Sequence, residues 1–242
     1  MAEYFYIDEQ STTITVTVSG VWEARFNSAF GGTLDRWYTD GGTTDYADYL
    51  PHHRIHDGVA LRYQNADSSS ILTLVESTPS RVVMRSIGEM GNTAGHDFEM
   101  MTTVYPSGYI FYDFVYTNTT SGAYTPNYTD TLVEISPNYT NETAMKDNDS
   151  DPPTYNDDFW YGYTSSTPLN SILLYVLYAD PFWQQEDFVH SGDYVKYETE
   201  NPPEIAVGES ARHSVCLYLG CQETTQSGIE SKILDFKNIY IS

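Results

Sequence analysis

Lysine is nearly missing from this chain: only Lys146, Lys196, Lys232 and Lys237 occur in 242 residues, and Lys and Arg together number 11 against 34 acids. The formal charge of -23 repels phosphate backbones and anionic lipid surfaces, so nucleic acid is excluded as a partner. The same acidity suits a salty medium, where carboxylates hold the hydration shell. Cysteine is equally scarce. On a continuous strand Cys216 and Cys221 face opposite sides and lie beyond the Cα separation of about 6.8 Å that a disulfide tolerates. A bridge therefore needs a turn at Tyr218 to Gly220, and two thiols are too few for structural zinc, which takes about four ligands. Long apolar runs are absent too. The longest, Ile172 to Ala179, falls far short of the roughly 20 residues of a membrane-spanning helix. The first nine residues, MAEYFYIDE, have neither the basic nor the apolar region of a secretion signal, so an exported protein would appear here in mature form.

What is present reads as strand almost throughout. Thr13 to Val18 alternates strictly between polar and apolar, and Ile71 to Val75 and Val82 to Ile87 continue the habit. Tyr109 to Tyr116 and Ile172 to Tyr178 are apolar on both faces, the mark of central strands. Further candidates are Val21 to Phe26, Val59 to Tyr63, Phe98 to Tyr105, Leu132 to Ile135, His213 to Leu219 and Ile233 to Ile241. About eleven short strands separated by Gly, Pro, Asn and Asp predict an all-β fold: one antiparallel β-sandwich or jelly roll over residues 1–242, with a single long loop excursion.

That excursion holds five N-x-[ST] triplets, at Asn118, Asn127, Asn138, Asn141 and Asn148. Such triplets accept glycans on accessible loops of exported proteins, so they point to an extracellular or cell-surface location. It also holds alternate acids at Asp147, Asp149 and Asp151, with Asp158 at the twelfth position of a calcium-type loop. Calcium is the one cofactor this pattern suggests, although Pro152 stands where the motif needs glycine.

Two further groups bear chemistry. The run His52-His53-Arg54-Ile55-His56 gathers half of the six histidines around an arginine in a strongly acidic chain. Imidazole serves as a base near neutral pH, and guanidinium neutralises a carboxylate, so the run is a candidate site for abstracting a proton beside a uronate, with Arg54, Arg62 or Arg85 as neutraliser and a tyrosine as acid. The alternative is a surface loop whose imidazoles lie beside acids. Aromatic residues are abundant, with 22 Tyr and four Trp. Trp160, Tyr161, Tyr163 and Trp183 are flanked by acids and Gln, which predicts exposed faces suited to stacking on sugar rings. His96, His190 and His213 stand alone and read as satisfied core or surface histidines. No nucleophile elbow, phosphate loop or dinucleotide fingerprint occurs.

The segments Phe26 to Tyr38 (FNSAFGGTLDRWY) and Gly208 to Gly220 (GESARHSVCLYLG) resemble strand-and-turn phrases of secreted carbohydrate-active β-sandwich proteins, among them polysaccharide-lyase-like jelly rolls and supersandwiches. The resemblance implies a β-sandwich that engages carbohydrate, but carries no catalytic motif. Three functions follow as expectations: a carbohydrate-recognising surface protein; a polysaccharide lyase using His52, His53, Arg54, His56 and Arg85; or a glycosylated subunit of a surface layer, filament or virion that associates with copies of itself.

Overall fold

Alternation decides which face of each strand is buried. In Thr13–Val18, Ile14, Val16 and Val18 turn inward, and in Trp22–Asn27 so do Trp22, Ala24 and Phe26. The computed structural model describes residues 5–39, 51–134, 143–146, 160–164, 172–179, 183, 187–191, 194–200, 202–219, 228 and 231–232, some of them by backbone alone. Among the described residues there are seventeen strands, more than the eleven expected, all antiparallel to their neighbours. No helix among them is long and apolar enough to cross a membrane.

The first four strands, β1 (Phe5–Glu9), β2 (Thr13–Val18), β3 (Trp22–Asn27) and β4 (Thr33–Thr39), form a four-stranded meander. Next come β5 (His52–His56), β6 (Leu61–Tyr63), β7 (Ile71–Thr78), β8 (Arg81–Glu89), β9 (His96–Val104), β10 (Tyr109–Asn118) and β11 (Tyr128–Glu134). The remainder are β12 (Thr143–Lys146), β13 (Trp160–Thr164), β14 (Ile172–Ala179), β15 (Asp187–Ser191), β16 (Tyr194–Glu200) and β17 (Ser210–Leu219). A wide eight-stranded sheet runs β12-β13-β14-β17-β10-β9-β8-β7, and a third sheet runs β15-β16-β11-β5-β6. The strands predicted to be central, β10 and β14, each have a neighbour on both sides.

One face of the wide sheet carries Met84, Met100, Tyr112, Phe114 and Val215, none more than 0% exposed. These side chains join Val16, Phe26, Leu34 and Trp37 of the first sheet and Ile55 of the third in one core cluster. Burying each such side chain contributes about 1.5–3 kcal/mol. The wide sheet is therefore the common floor on which the other two sheets pack.

Cys216 lies within β17, opposite Phe111 and Tyr175, as a buried free thiol. No turn forms at Tyr218, which stays in the strand and pairs with Tyr109. Cys221 lies outside the described residues.

Candidate functional site

The histidine run is strand β5, inside the third sheet between β11 and β6, and not a surface loop. His52 and His53 are 2% and 0% exposed. The His53 ring lies flat on Phe114, with centroids 3.8 Å apart, and meets Trp183 and His213 edge-on at 5.6 and 5.3 Å. Gln64 donates its amide to the Gly31 carbonyl at 3.0 Å, so its Oε1 is the acceptor for His53 Nδ1 at 3.1 Å. Burial pushes His52 and His53 down to about 3, and both are neutral at pH 7. Neither reaches a substrate arriving from solvent.

Arg54 is bound to the carboxylate of Asp130, its register partner on β11, which is itself 1% exposed. Arg85 lies on the open face of the wide sheet, paired with Glu99 at 2.8 Å. The five residues expected to form a lyase site therefore do not converge: His52 and His53 are buried, Arg54 and His56 are half-buried on the same strand, and Arg85 stands on another sheet. The reason is that a strand with a carboxylate opposite can bury a charge, which a reading from local charge alone does not see.

Trp183, expected to be exposed, is 2% exposed. Its ring stacks on His213 at 5.7 Å and its indole N–H points to the Ala211 carbonyl at 3.4 Å. Trp160, Tyr161 and Tyr163 lie on β13, in register with Tyr175, Leu174 and Ile172 of β14. The acids Asp147, Asp149, Asp151 and Asp158 lie outside the described residues, as do Asn138, Asn141 and Asn148. Among the described residues no group of three or more His, Cys, Asp or Glu is placed to hold a metal.

Asn118 is 0% exposed. Its amide donates to the carbonyls of Gly122 and Ile205 at 3.1 and 3.0 Å, and its oxygen accepts from the backbone and hydroxyl of Thr120. Both amide hydrogens are used, so this triplet is a loop clamp and not an acceptor on the folded protein. Asn127 is exposed, with its backbone N–H on the His56 carbonyl at 2.8 Å.

What the structure does assemble is a polar cluster at the rim, where the β5–β6 hairpin meets the start of β9 and the loop after β10. Asp57 sets the hairpin turn: its Oδ1 accepts the N–H groups of Val59 and Ala60 at 2.9 and 2.7 Å, and Gly58 supplies the φ of 86°. The other oxygen, Oδ2, takes Arg62 through Nε at 2.8 Å and Nη2 at 2.7 Å. Nη1 of Arg62 reaches Thr93 at 3.0 Å. Partial burial works against Asp57, but the two amides and Arg62 hold its carboxyl below the usual range.

Beside this pair, the Tyr116 hydroxyl stands between His96 Nδ1 at 3.0 Å and the Tyr124 hydroxyl at 2.7 Å. Gly95, at φ 92°, lets Thr120 approach to where a Cβ would sit 2.8 Å from it, which presses the loop onto β9. Tyr124 is fixed by paired backbone bonds with Ile205 at 3.2 and 3.0 Å. Burial keeps His96 neutral by lowering its pKa and pushes Tyr124 up to about 12. The charges of Asp57 and Arg62 act on both His96 and Tyr124, so all four groups share one locale. Arg62 was visible in the sequence as a neutralising cation. His96, Tyr116 and Tyr124 were not, because 20 residues separate His96 from Tyr116 and only β9–β10 pairing closes that gap.

A recess of about 140 Å³ lies away from this cluster, between Val21, Trp22 and Tyr38 at the end of the first sheet. It is well below the roughly 300 Å³ at which small-molecule pockets begin.

No protein-family model and no curated protein sequence matches the chain. Solved structures share its fold. A candidate aldose 1-epimerase from Klebsiella pneumoniae superposes with a TM-score of 0.57 at 11% identity, over 92% of this chain and 83% of that one. Heparan sulfate lyase HepC from Pedobacter heparinus gives 0.55 at 9% identity, over 89% of this chain and 36% of that one. A 4-alpha-glucanotransferase from Thermococcus litoralis gives 0.52 at 9% identity, over 89% and 39%. The chain thus spans little more than a third of the two latter proteins. The class that these likenesses define is one of fold: an all-β antiparallel sandwich.

Proposed function

We propose that the chain is an extracellular or cell-surface protein that recognises carbohydrate through the rim cluster, with Arg62 and Tyr124 toward the ligand and the buried His96 and Tyr116 behind them. The observation that carries this reading is the fixed convergence of a guanidinium, an imidazole and two linked phenols at one end of the sandwich. Such groups present donors and acceptors at set positions, as hydroxyl-rich ligands require. The structural likenesses support it, since the three neighbours named are a candidate aldose 1-epimerase, a heparan sulfate lyase and a 4-alpha-glucanotransferase. The exposed Asn127 triplet and the acidic surface support the location.

A glycan array tests the reading. Binding to at least one class of neutral or acidic glycan, abolished by Arg62→Ala, is expected; silence across the array contradicts it. Calcium belongs to the same proposal, held by Asp147, Asp149, Asp151 and Asp158, and predicts a fall in melting temperature on adding EDTA; an unchanged melting curve removes the ion.

The polysaccharide-lyase reading keeps one supporting observation, the neutral His96 and protonated Tyr124 beside Arg62. It moves from His52, His53, Arg54 and Arg85 to this cluster, and appearance of unsaturated-uronide absorbance with a polyuronate tests it. For the structural-subunit reading, the exposed Asn127 is the support and the intact mass of native material is the test.

A further inference from the structure

We propose that the rim cluster takes a neutral polyol, a sugar unit without carboxylate or sulfate, and that Tyr116 is the positioning residue that lets Tyr124 meet a ligand hydroxyl as donor or acceptor. The inference rests on the carbohydrate reading above and narrows its ligand class.

Charge is the first argument. Arg62 is the cation of the cluster, and Asp57 faces it with one oxygen taking both Nε and Nη2. A second carboxylate, Asp97, accepts the Thr119 hydroxyl at 2.9 Å and acts on His96 and Tyr116. His96 is neutral and both phenols are protonated, so the cluster carries two carboxylates against one guanidinium, within a chain of net charge -23. An anionic sugar brought here meets no uncompensated positive charge and loses its hydration.

Donor geometry is the second. A guanidinium has five N–H groups. Asp57 and Thr93 engage three of those of Arg62, through Nε, Nη2 and Nη1. Its side chain is 25% exposed, so the two remaining N–H groups are available to hydroxyl oxygens without breaking the Asp57 pair.

The phenol chain is the third. Tyr116 has one proton and two neighbours that each give or accept. If His96 carries its proton on Nε2, Tyr116 donates to His96 Nδ1, Tyr124 donates to Tyr116, and Tyr124 oxygen accepts from the ligand. If the proton is on Nδ1, every bond reverses and Tyr124 donates to the ligand. No net charge moves in either state. A sugar hydroxyl, itself donor and acceptor, fits both, whereas a carboxylate fits only one.

The test is calorimetric titration of the intact chain at low salt, where attraction to anions is strongest, with neutral gluco-, galacto-, manno- and xylo-oligosaccharides, and with oligouronates and heparin fragments. Neutral ligands should bind and acidic ones should not. Arg62→Gln and Tyr124→Phe should each weaken binding by about tenfold, the loss of about one hydrogen bond. Arg81→Gln, at the β7–β8 turn and so at the opposite end of β8 from the β9 start, should leave affinity unchanged. Tyr116→Phe should weaken binding while changing the nitrogen shifts of the His96 ring by NMR, a readout that mere loosening of the fold would not move selectively. Binding of acidic glycans alone overturns the inference and leaves carbohydrate recognition intact. Unchanged affinity in Arg62→Gln and Tyr124→Phe overturns the site. No binding to any glycan overturns both readings.

Discussion

Gly88 has no room for a methyl group. A Cβ there would stand 1.9 Å from Asp67 Oδ2, 3.0 Å from the Phe98 ring and 3.0 Å from Ser70. Asp67 cannot yield, because it is 0% exposed and its oxygens hold the backbone N–H of Glu89 and of Ser69, both at 2.8 Å. Gly88→Ala should therefore destabilise by about 2–3 kcal/mol, read as a lower urea midpoint at unchanged slope. At the same scale, Asn127 and Asn118 separate two identical sequence signals. Glycopeptide mapping of material from a glycosylating host should find glycan on Asn127 and none on Asn118. Glycan on Asn118 would mean that the Gly122 and Ile205 bonds are not formed in that material. No triplet announces which asparagine a fold will bury, so the burial of Asn118 and the exposure of Asn127 were not legible in the sequence.

Among the strands, the ion pair Arg54–Asp130 ties β5 to β11 with the carboxylate fully enclosed. Removing one partner leaves a charge stranded, and Asp130→Ala should cost about 3–5 kcal/mol in denaturant unfolding. Arg85→Gln removes a pair of which both members are nearly half exposed and should leave the midpoint unchanged. Equal effects of the two variants would contradict the placement of β5 inside its sheet. Strands with apolar alternation, such as β2, β7 and β8, were legible because one side chain in two must leave water. β4, β5, β15 and β16 were not, since TLDRWYT, HHRIH, DFVHS and YVKYETE mix charge and aromatics. For β5 the missing information is the partner: Asp130 pairs with Arg54 while Gln64 and Phe114 hold the His53 ring, and Asp130 and Phe114 are far from β5 in sequence.

For the molecule as a whole, the neutral histidines under the third sheet make stability depend on pH. Burial lowers His52 and His53 to about 3 and holds His213 well below the usual histidine range. Below the unfolded value of about 6.5, the unfolded chain binds protons that the folded one refuses, so stability falls as pH drops. Each such histidine adds about 1.4 kcal/mol per pH unit at full effect. Protonation of surface carboxylates relieves the -23 charge near their own pKa and opposes this trend, so the window that reports the histidines is about pH 6.5 to 5. Urea midpoints should be flat above pH 7 and fall across that window; a flat profile there would mean that the imidazoles are solvated. The all-β class and the antiparallel sandwich were thus readable from alternation and turn residues, while the rim cluster required the pairing of β9 with β10 and the approach of the β5–β6 hairpin. The most direct test of its role is hydrogen exchange with and without a neutral oligosaccharide that binds. The account predicts slowed exchange confined to residues 57–63, 92–97 and 119–125; protection that spares these segments and appears elsewhere, as around Trp22 and Tyr38, would contradict it.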